Sequence, residues 1–403
     1  MRVWGCTIKV LFVIRENAKK ISGGDLIQLE FTKKYLEKKG LNCQVAFGTK
    51  ELDDLIGSFD IVHLFNLQTP LTTLEAIKIA KKRKKKICLS TIYFNIYGLV
   101  AGVLLTKLHS IKLYKYNFVK HSLYNTYSFF AYPLFNLSFS VLKKYGDSPL
   151  NPSFRKIVKE ILLDADVILP NSLEELNQLI SDFYEIPSDV LRKKSHIVVN
   201  GVDIEEIEKL NEDCVSESSR GLIEKLKTKH KFIIGEVGRI EGIKNQLSLA
   251  KAFYGRDDFA IILAGMYRGN DSYYKNIKKI AQKCKNIYII GPLSRCDTIY
   301  LMKNLDVHVL PSLRETPGLV SLEAASLGTP VVTTMYSPNS EYLSNYAFVC
   351  NPLDAKDIRE KTILALQMPE DTRTKMRNYV LNNFTWERAS MQTLETYMSI
   401  LEK

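Results

Sequence analysis

Short runs of β-branched and other apolar residues alternate with stretches of helical periodicity along the whole chain. In the first half the strand candidates are 9–14 (KVLFVI), 43–47, 60–65 (DIVHLF), 87–92 (ICLSTI), 166–169 and 196–199. In the second half they are 232–237 (FIIGEV), 260–264 (AIILA), 287–290, 306–310 (DVHVL) and 331–334. Runs this uniformly apolar suit strands buried on both faces. Helical segments of about 10–15 residues separate most of them, the crossovers that parallel strands require. The pattern predicts an α/β fold with parallel sheets covered by helices on both sides.

A length of 403 residues sets a prior of two such domains. The most polar connecting stretch, near 203–231, is the best candidate linker. The expected organisation is a first doubly wound, Rossmann-like domain at 1–203 and a second at 204–384, facing a cleft. Ligands then belong at the carboxyl ends of the strands. The segment 96–150 breaks the rhythm of the first domain. It is rich in Tyr and Phe, interleaved with Lys107, Lys112, Lys115, Lys120, Lys143 and Lys144, and reads as a helical insertion. Within it, 122–142 carries no formal charge, but Asn125, Pro133 and Asn136 interrupt it. Its apolar residues recur at helical spacing, one stripe rather than the all-round apolar surface of a membrane span.

The seven cysteines are scattered singly, so neither a disulfide framework nor a metal knuckle is expected. A reduced, cytoplasmic setting fits that usage, and the first residues do not read as a signal peptide. The net charge of +12 is uneven: residues 1–200 carry +11 and the remainder +1. The first half therefore meets something anionic, a membrane surface or a phosphorylated acceptor, or its charge simply keeps the protein soluble. Nucleic acid is disfavoured because no recognition helix or zinc-finger motif accompanies the charge. The run from Lys81 to Lys86 suits the end of a helix, and His63, mid-strand, reads as a core histidine.

Three stretches carry chemistry. In 309–334 a strand ends at Pro311, a loop holds Glu315, and a helix begins near Leu319 and ends before Gly328. Glu323 lies about one turn into that helix. The backbone at Gly318 and Leu319 opens it, an arrangement suited to sugar hydroxyls or phosphate. The same two acids could also flank a turn in solvent. In 235–246 Gly238 closes a strand, and Arg239 and Lys244 precede a helix for which Asn245 is the expected N-cap. Two cations at a helix N-terminus are unfavourable unless an anion offsets them; a diphosphate would do so. Ser22-Gly23-Gly24-Asp25 follows the first strand, and its paired glycines allow close approach of a bulky ligand.

Taken in order, these stretches resemble family 4 of the glycosyltransferases. The resemblance rests on the Gly23-Gly24 loop, DIVHLFN at 60–66, VILPNS at 167–172, VVNGVD at 198–203, VGRIEGIKN at 237–245, the Glu315 and Glu323 frame and FTWERA at 384–389. It implies the GT-B fold, with 385–403 returning to the first domain. It implies retaining transfer from a nucleoside-diphosphate sugar, with no metal or other cofactor. Arg239 and Lys244 would hold the diphosphate, with Gly238 beside them. Glu315 would contact the sugar or its phosphate, and Glu323 the ribose. Gly318 and Leu319 would give backbone contacts, Gly291 and Leu293 would lie near the base, and Gly23 and Gly24 would close over the diphosphate.

The sequence departs from that family in two places. Tyr93 stands where the family often has His, leaving Thr91, Tyr93 and Asn95 as candidates for sugar or acceptor. Thr316-Pro317 replaces the commoner Gly-Phe before Gly318, and proline removes one N–H donor. The acceptor would be a saccharide or lipid-linked saccharide, with the protein in the cytoplasm or on the inner membrane face. A nucleotide-sugar epimerase and a non-catalytic sugar-nucleotide binder remain as alternatives on the same architecture.

Overall fold

The computed structural model describes residues 2–3, 6–20, 23–94, 153–267, 269, 271–316, 318–335, 337 and 339–402. The segment expected as a helical insertion at 96–150 lies outside the described residues, as do Asn95 and Pro317. The chain divides into two compact units, Met1–Asn200 with Trp386–Lys403, and Gly201–Thr385.

The first unit is built on five parallel strands, β3 (Lys9–Ile14), β4 (Asn42–Phe47), β5 (Ile61–Phe65), β6 (Lys86–Ser90) and β7 (Val167–Leu169), in the order β4-β3-β5-β6-β7. A two-residue hairpin of β1 (Arg2–Val3) and β2 (Cys6–Thr7) precedes them. Every residue of β5 is buried, as parallel strands covered on both faces require. One layer holds Leu11, Val62, Leu64 and Leu89 against the helix Pro70–Lys82 and its neighbour Phe154–Asp164. Pro70 opens the first of these helices at a position that needs no N–H, and Lys81 and Lys82 sit in its last turn, where cations suit the dipole. In the basic run beyond, Lys81 reaches Asp164 at 2.7 Å and Arg83 reaches Asp53 at 3.2 Å.

The last helix, Trp386–Leu401, packs within this first unit. Trp386 stacks on Phe31, and Tyr397 is completely buried. The Tyr397 hydroxyl lies 2.5 Å from Nδ1 of His63, whose Nε2 lies 2.9 Å from Ser90 Oγ. His63 is therefore a core histidine with both ring nitrogens satisfied.

The second unit holds six parallel strands: β8 (Phe232–Val237), β9 (Phe259–Ala264), β10 (Ile287–Ile290), β11 (Val307–Leu310), β12 (Val331–Thr334) and β13 (Phe348–Cys350). Their order is β10-β9-β8-β11-β12-β13, the doubly wound arrangement of dinucleotide-binding sheets. Gly235 in β8 is required by packing: a Cβ there would sit 2.9 Å from the Ile262 carbonyl oxygen of β9. Gly201 is tighter still, because a Cβ would meet the backbone of Thr385 at 2.2 Å, where Val202 N–H bonds the Phe384 carbonyl at 2.9 Å.

Four sequence expectations need correction. The segment 196–199 forms no strand; it follows β7 through a single bridge, Ile168 to Ser195, and two backbone bonds, so it never builds a ladder. The polar stretch taken as a linker contains the helix Glu217–Lys229, capped by Ser216 and anchored by Ile223 and Leu226. Its few apolar residues suffice because only one narrow face is buried. β13 was not anticipated. Finally, Cys214 and Cys296, 82 residues apart, are joined as a disulfide with Cα atoms 5.9 Å apart. Their separation in the sequence carried no signal of their meeting in space. Among the described residues Cys43, Cys88, Cys284 and Cys350 are free and buried.

Burial pushes His63 down to about 3 from its usual 6.5. A group whose pKa is depressed by folding gives stability that is complete above the unfolded value and is lost as pH falls toward the folded one. Each unit of pH below 6.5 should therefore cost the first unit about 1.4 kcal/mol through His63, or about 2 kcal/mol at pH 5. Guanidinium unfolding at pH 7 and pH 5 measures this, and His63→Gln should flatten the difference.

Candidate functional site

In the second unit β8 and β11 are neighbours, but the chain leaves them toward opposite sides of the sheet, to β9 and to β12. Loops diverging from such a switch point leave a crevice at the carboxyl ends of the strands. Two loops bound it: 238–245 after β8 and 311–318 after β11.

The first loop is held by backbone contacts. Gly238 N–H bonds the Ala264 carbonyl, and Ile240 N–H bonds that of Met266, each at 2.9 Å. Gly265, with φ of 147°, lies so close that a Cβ would stand 2.1 Å from the Gly238 carbonyl oxygen. Asn245 precedes the helix Gln246–Ala252 but does not cap it as expected. It adopts φ of 60°, and its amide instead donates to the carbonyls of Pro311 and Pro352 at 3.0 and 2.8 Å. With Leu313 N–H on the Ile243 carbonyl at 2.8 Å, this ties the β8 loop to the β11 loop. Gly318, at φ of 68°, turns the second loop into the helix Leu319–Ser326, and Gly328 at φ of 82° follows its end. Both conformations suit glycine.

Lys244 and Glu315, one from each loop, form an ion pair at 2.7 Å, with side chains only 16% and 11% exposed. Ser312 Oγ donates to the same Glu315 oxygen at 3.0 Å. Beneath them lies Glu236, at 1% exposure, accepting from Gln246 Nε2 at 3.0 Å through Oε1 while Oε2 has no partner among the described residues. Burial pushes the Glu236 carboxyl well above its usual range; Lys244 opposes this and Glu315 adds to it. For Lys244, burial acts against the ammonium, but Glu315, with Glu236 and Glu241, holds its pKa above the ordinary value. His308 of β11 is fully buried, with both ring nitrogens unpartnered among the described residues, and burial with nearby Lys244 lowers it to about 3. The pocket floor therefore sets one ion pair beside two groups whose charged forms burial disfavours.

Arg239 projects further into solvent, 46% exposed, and reaches Glu241 at 3.0 Å. The two cations expected to need an external anion are thus paired internally. Glu323 does not share partners with Glu315. Its Oε1 accepts from Arg295 at 2.6 Å. Gly291 has open space around the Cβ position, and Leu293 lines a cavity of about 270 Å³ with Ile290, Ser219, Leu222 and Tyr300. Among the described residues no group of three or more His, Cys, Asp or Glu side chains is placed to hold a metal ion.

The first-unit candidates behave differently. Gly23 is the N-cap of the helix Gly24–Lys38, and a Cβ on it would strike the Asp25 carboxylate at 2.7 Å; Gly24 is open. Asp25 is buried beside them, held by Arg15 at 2.7 Å and by Asn66 at 3.2 Å. Burial works to raise its pKa, but the Arg15 and Asn66 contacts prevail and lower it. Thr91 and Tyr93, expected near the sugar or acceptor, are buried. The Thr91 hydroxyl and Tyr93 N–H both donate to Glu175, and the Tyr93 hydroxyl donates to Asp182 at 2.8 Å.

Sequence reasoning missed Glu236, Arg295 and Asp25. Glu236 carried a usable signal, an acid inside the otherwise apolar run FIIGEV. Arg295 carried none, since its partners Glu206 and Glu323 are remote in the chain.

Comparison with known proteins bears on the fold and on the second unit. Residues 221–382 match the profile of the family described as "Glycosyl transferases group 1". A D-inositol 3-phosphate glycosyltransferase of Corynebacterium glutamicum is 26% identical over 196 residues, which is 46% of this chain and 45% of that protein. The chain spans about half the length of the curated relatives it matches. Among solved structures, a glycosyltransferase from Rickettsia africae superposes with a TM-score of 0.69 at 18% identity, covering 98% and 99% of the two chains. Anabaena HepE, solved with UDP and glucose, gives 0.66 at 15% identity over 97% and 100%. These likenesses show the fold, the two-unit α/β architecture of GT-B glycosyltransferases, and residues 221–382, the stretch that carries Lys244 and Glu315, match the group 1 glycosyltransferase profile.

Proposed function

We propose that this protein transfers a sugar from a nucleoside-diphosphate sugar to a saccharide or lipid-linked acceptor, with retention of anomeric configuration and without a metal. The observation that carries this reading is the Lys244–Glu315 pair joining the two loops of the β8–β11 switch point. An incoming diphosphate offers Lys244 and Arg239 a better-charged partner than their present carboxylates, and Glu315 is then released toward the sugar. As the bond from the anomeric carbon to the phosphate oxygen breaks, charge grows on the diphosphate, where two fixed cations stabilise it. The acceptor hydroxyl attacks from the same face and gives its proton to the departing phosphate. Glu323 takes the ribose hydroxyls. The names of the relatives support a UDP-sugar as donor and a phosphorylated polyol among the acceptors, the latter agreeing with the +11 charge of residues 1–200.

Loss of a charged acceptor costs about 1.5–3 kcal/mol, so Glu323→Ala should weaken binding of UDP or the preferred nucleoside diphosphate about 10–100-fold by titration calorimetry. Arg239→Ala and Lys244→Ala should each depress turnover, while EDTA leaves it unchanged. Strict dependence on Mg²⁺ or Mn²⁺ would overturn the metal-free reading, and release of a free 2-epimer would favour the epimerase.

Reversible attachment to an anionic membrane face belongs to the same proposal. Its support is the charge of +13 on residues 1–150, which include the Lys-interleaved aromatic segment. Basic residues gain about 1 kcal/mol each near an anionic leaflet. The protein should co-sediment with vesicles containing phosphatidylserine, much less with neutral ones, and dissociate as salt rises. Lys112→Glu with Lys115→Glu and Lys120→Glu should weaken this and spare nucleotide binding. Equal partitioning to both vesicle types would instead favour a soluble anionic acceptor.

A further inference from the structure

Three consecutive residues at the head of the helix Arg295–Lys303 all grip the segment between Glu206 and Ser216. Arg295 Nε donates to Glu206 Oε2 at 2.6 Å. Cys296 is bonded to Cys214. Asp297 accepts from the backbone N–H of Ser216 at 2.9 Å and from its hydroxyl at 2.8 Å. The same Arg295 guanidinium donates through its Nη2 to Glu323 Oε1 at 2.6 Å. It thereby spans three elements: its own helix, the helix Ile204–Glu208 and the helix Leu319–Ser326. Among the described residues Glu323 Oε2 has no hydrogen-bond partner.

We infer that Arg295 is the positioning residue of the nucleotide site, a guanidinium clamped by Glu206 that fixes the Glu323 carboxylate through one oxygen and leaves the other for the ribose hydroxyls. A planar fork holding two carboxylates has a geometry that an ammonium cannot reproduce. The pairing also fixes the Glu323 rotamer before the nucleotide arrives, so less freedom is lost on binding. The helix head has no slack to follow a displaced ligand, because its next two residues are held by a covalent bond and by a serine. Arg295 directly follows the Gly291-to-Ser294 turn, so one short segment would serve both the base and the ribose.

This inference rests on the reading of Glu323 as the ribose-binding carboxylate, and calorimetry separates the two. The probes are UDP, ADP and GDP, each beside its 2′,3′-dideoxy counterpart, which lacks the hydroxyls in question. Arg295→Ala should weaken the best-bound ribonucleoside diphosphate about tenfold yet change affinity for its dideoxy form less than about twofold. Arg295→Lys should recover only part of the loss, and Glu206→Gln should show a smaller loss of the same kind. A merely structural role would weaken both nucleotide forms alike, and that result would overturn the inference, as would unchanged or tighter binding by Arg295→Ala. If Arg295→Ala does not fold, Arg295→Lys and Glu206→Gln carry the same comparison. Should Glu323→Ala leave ribonucleotide affinity intact, the ribose reading itself fails. Loss with Glu323→Ala but not with the Arg295 variants fails this inference alone. Absence of binding of every probe to the wild-type chain overturns both.

Discussion

An ammonium and a carboxylate, each nearly removed from solvent, meet where two loops leave adjacent parallel strands in opposite directions. The Lys244–Glu315 pair is costly to desolvate, and its attraction is offset by what burial takes from each ion. It persists because Ser312 donates to Glu315 and because backbone and Asn245 contacts hold both loops in place. The neighbouring groups feel it. Burial disfavours the charged forms of Glu236 and His308; Lys244 adds to this at His308 and opposes it at Glu236, where Glu315 adds to it. Removing either partner would strand the other in a poorly solvated pocket. A ligand that takes over one partner must therefore supply a full compensating charge, which favours a diphosphate over a neutral sugar.

The same economy of internal pairing runs through the second unit. Arg239 rests on Glu241, Lys244 on Glu315 and Arg295 on Glu206 and Glu323. Three cations around the crevice are thus held by acids, whereas the buried Arg314 of the β11 loop leaves its Nε without a partner among the described residues. The first unit uses the same device at Arg15 and Asp25, between the end of β3 and the helix that follows. There the carboxylate also explains why Gly23 cannot carry a side chain.

The doubly wound architecture was legible because strands covered on both faces must be apolar throughout, and runs such as DIVHLF and AIILA admit few other readings. β13 escaped notice because three residues, one of them exposed, leave no pattern. The helix Glu217–Lys229 escaped because Ile223 and Leu226 alone anchor it amid polar residues. At the site, motif order named both Lys244 and Glu315, yet nothing in the sequence revealed that they neutralise one another without a ligand. Asn245 was misjudged for a related reason: its type suits a cap, but a left-handed backbone turned its amide toward carbonyls far along the chain. Thr91 and Tyr93 were read by position alone, and their occupation by Glu175 depends on a helix some eighty residues away.

The contact between Gly238 and Gly265 limits how this scaffold can diversify. Two main chains touch there with no room for even a methyl group, so the β8 and β9 loops behave as one fused piece. A change in one cannot be absorbed by the other. Side chains are instead accommodated at positions such as Gly291, where added atoms would meet open space. Sequence change along this edge of the sheet therefore belongs in the β10 turn, whereas a substitution at Gly265 would be eliminated as misfolded.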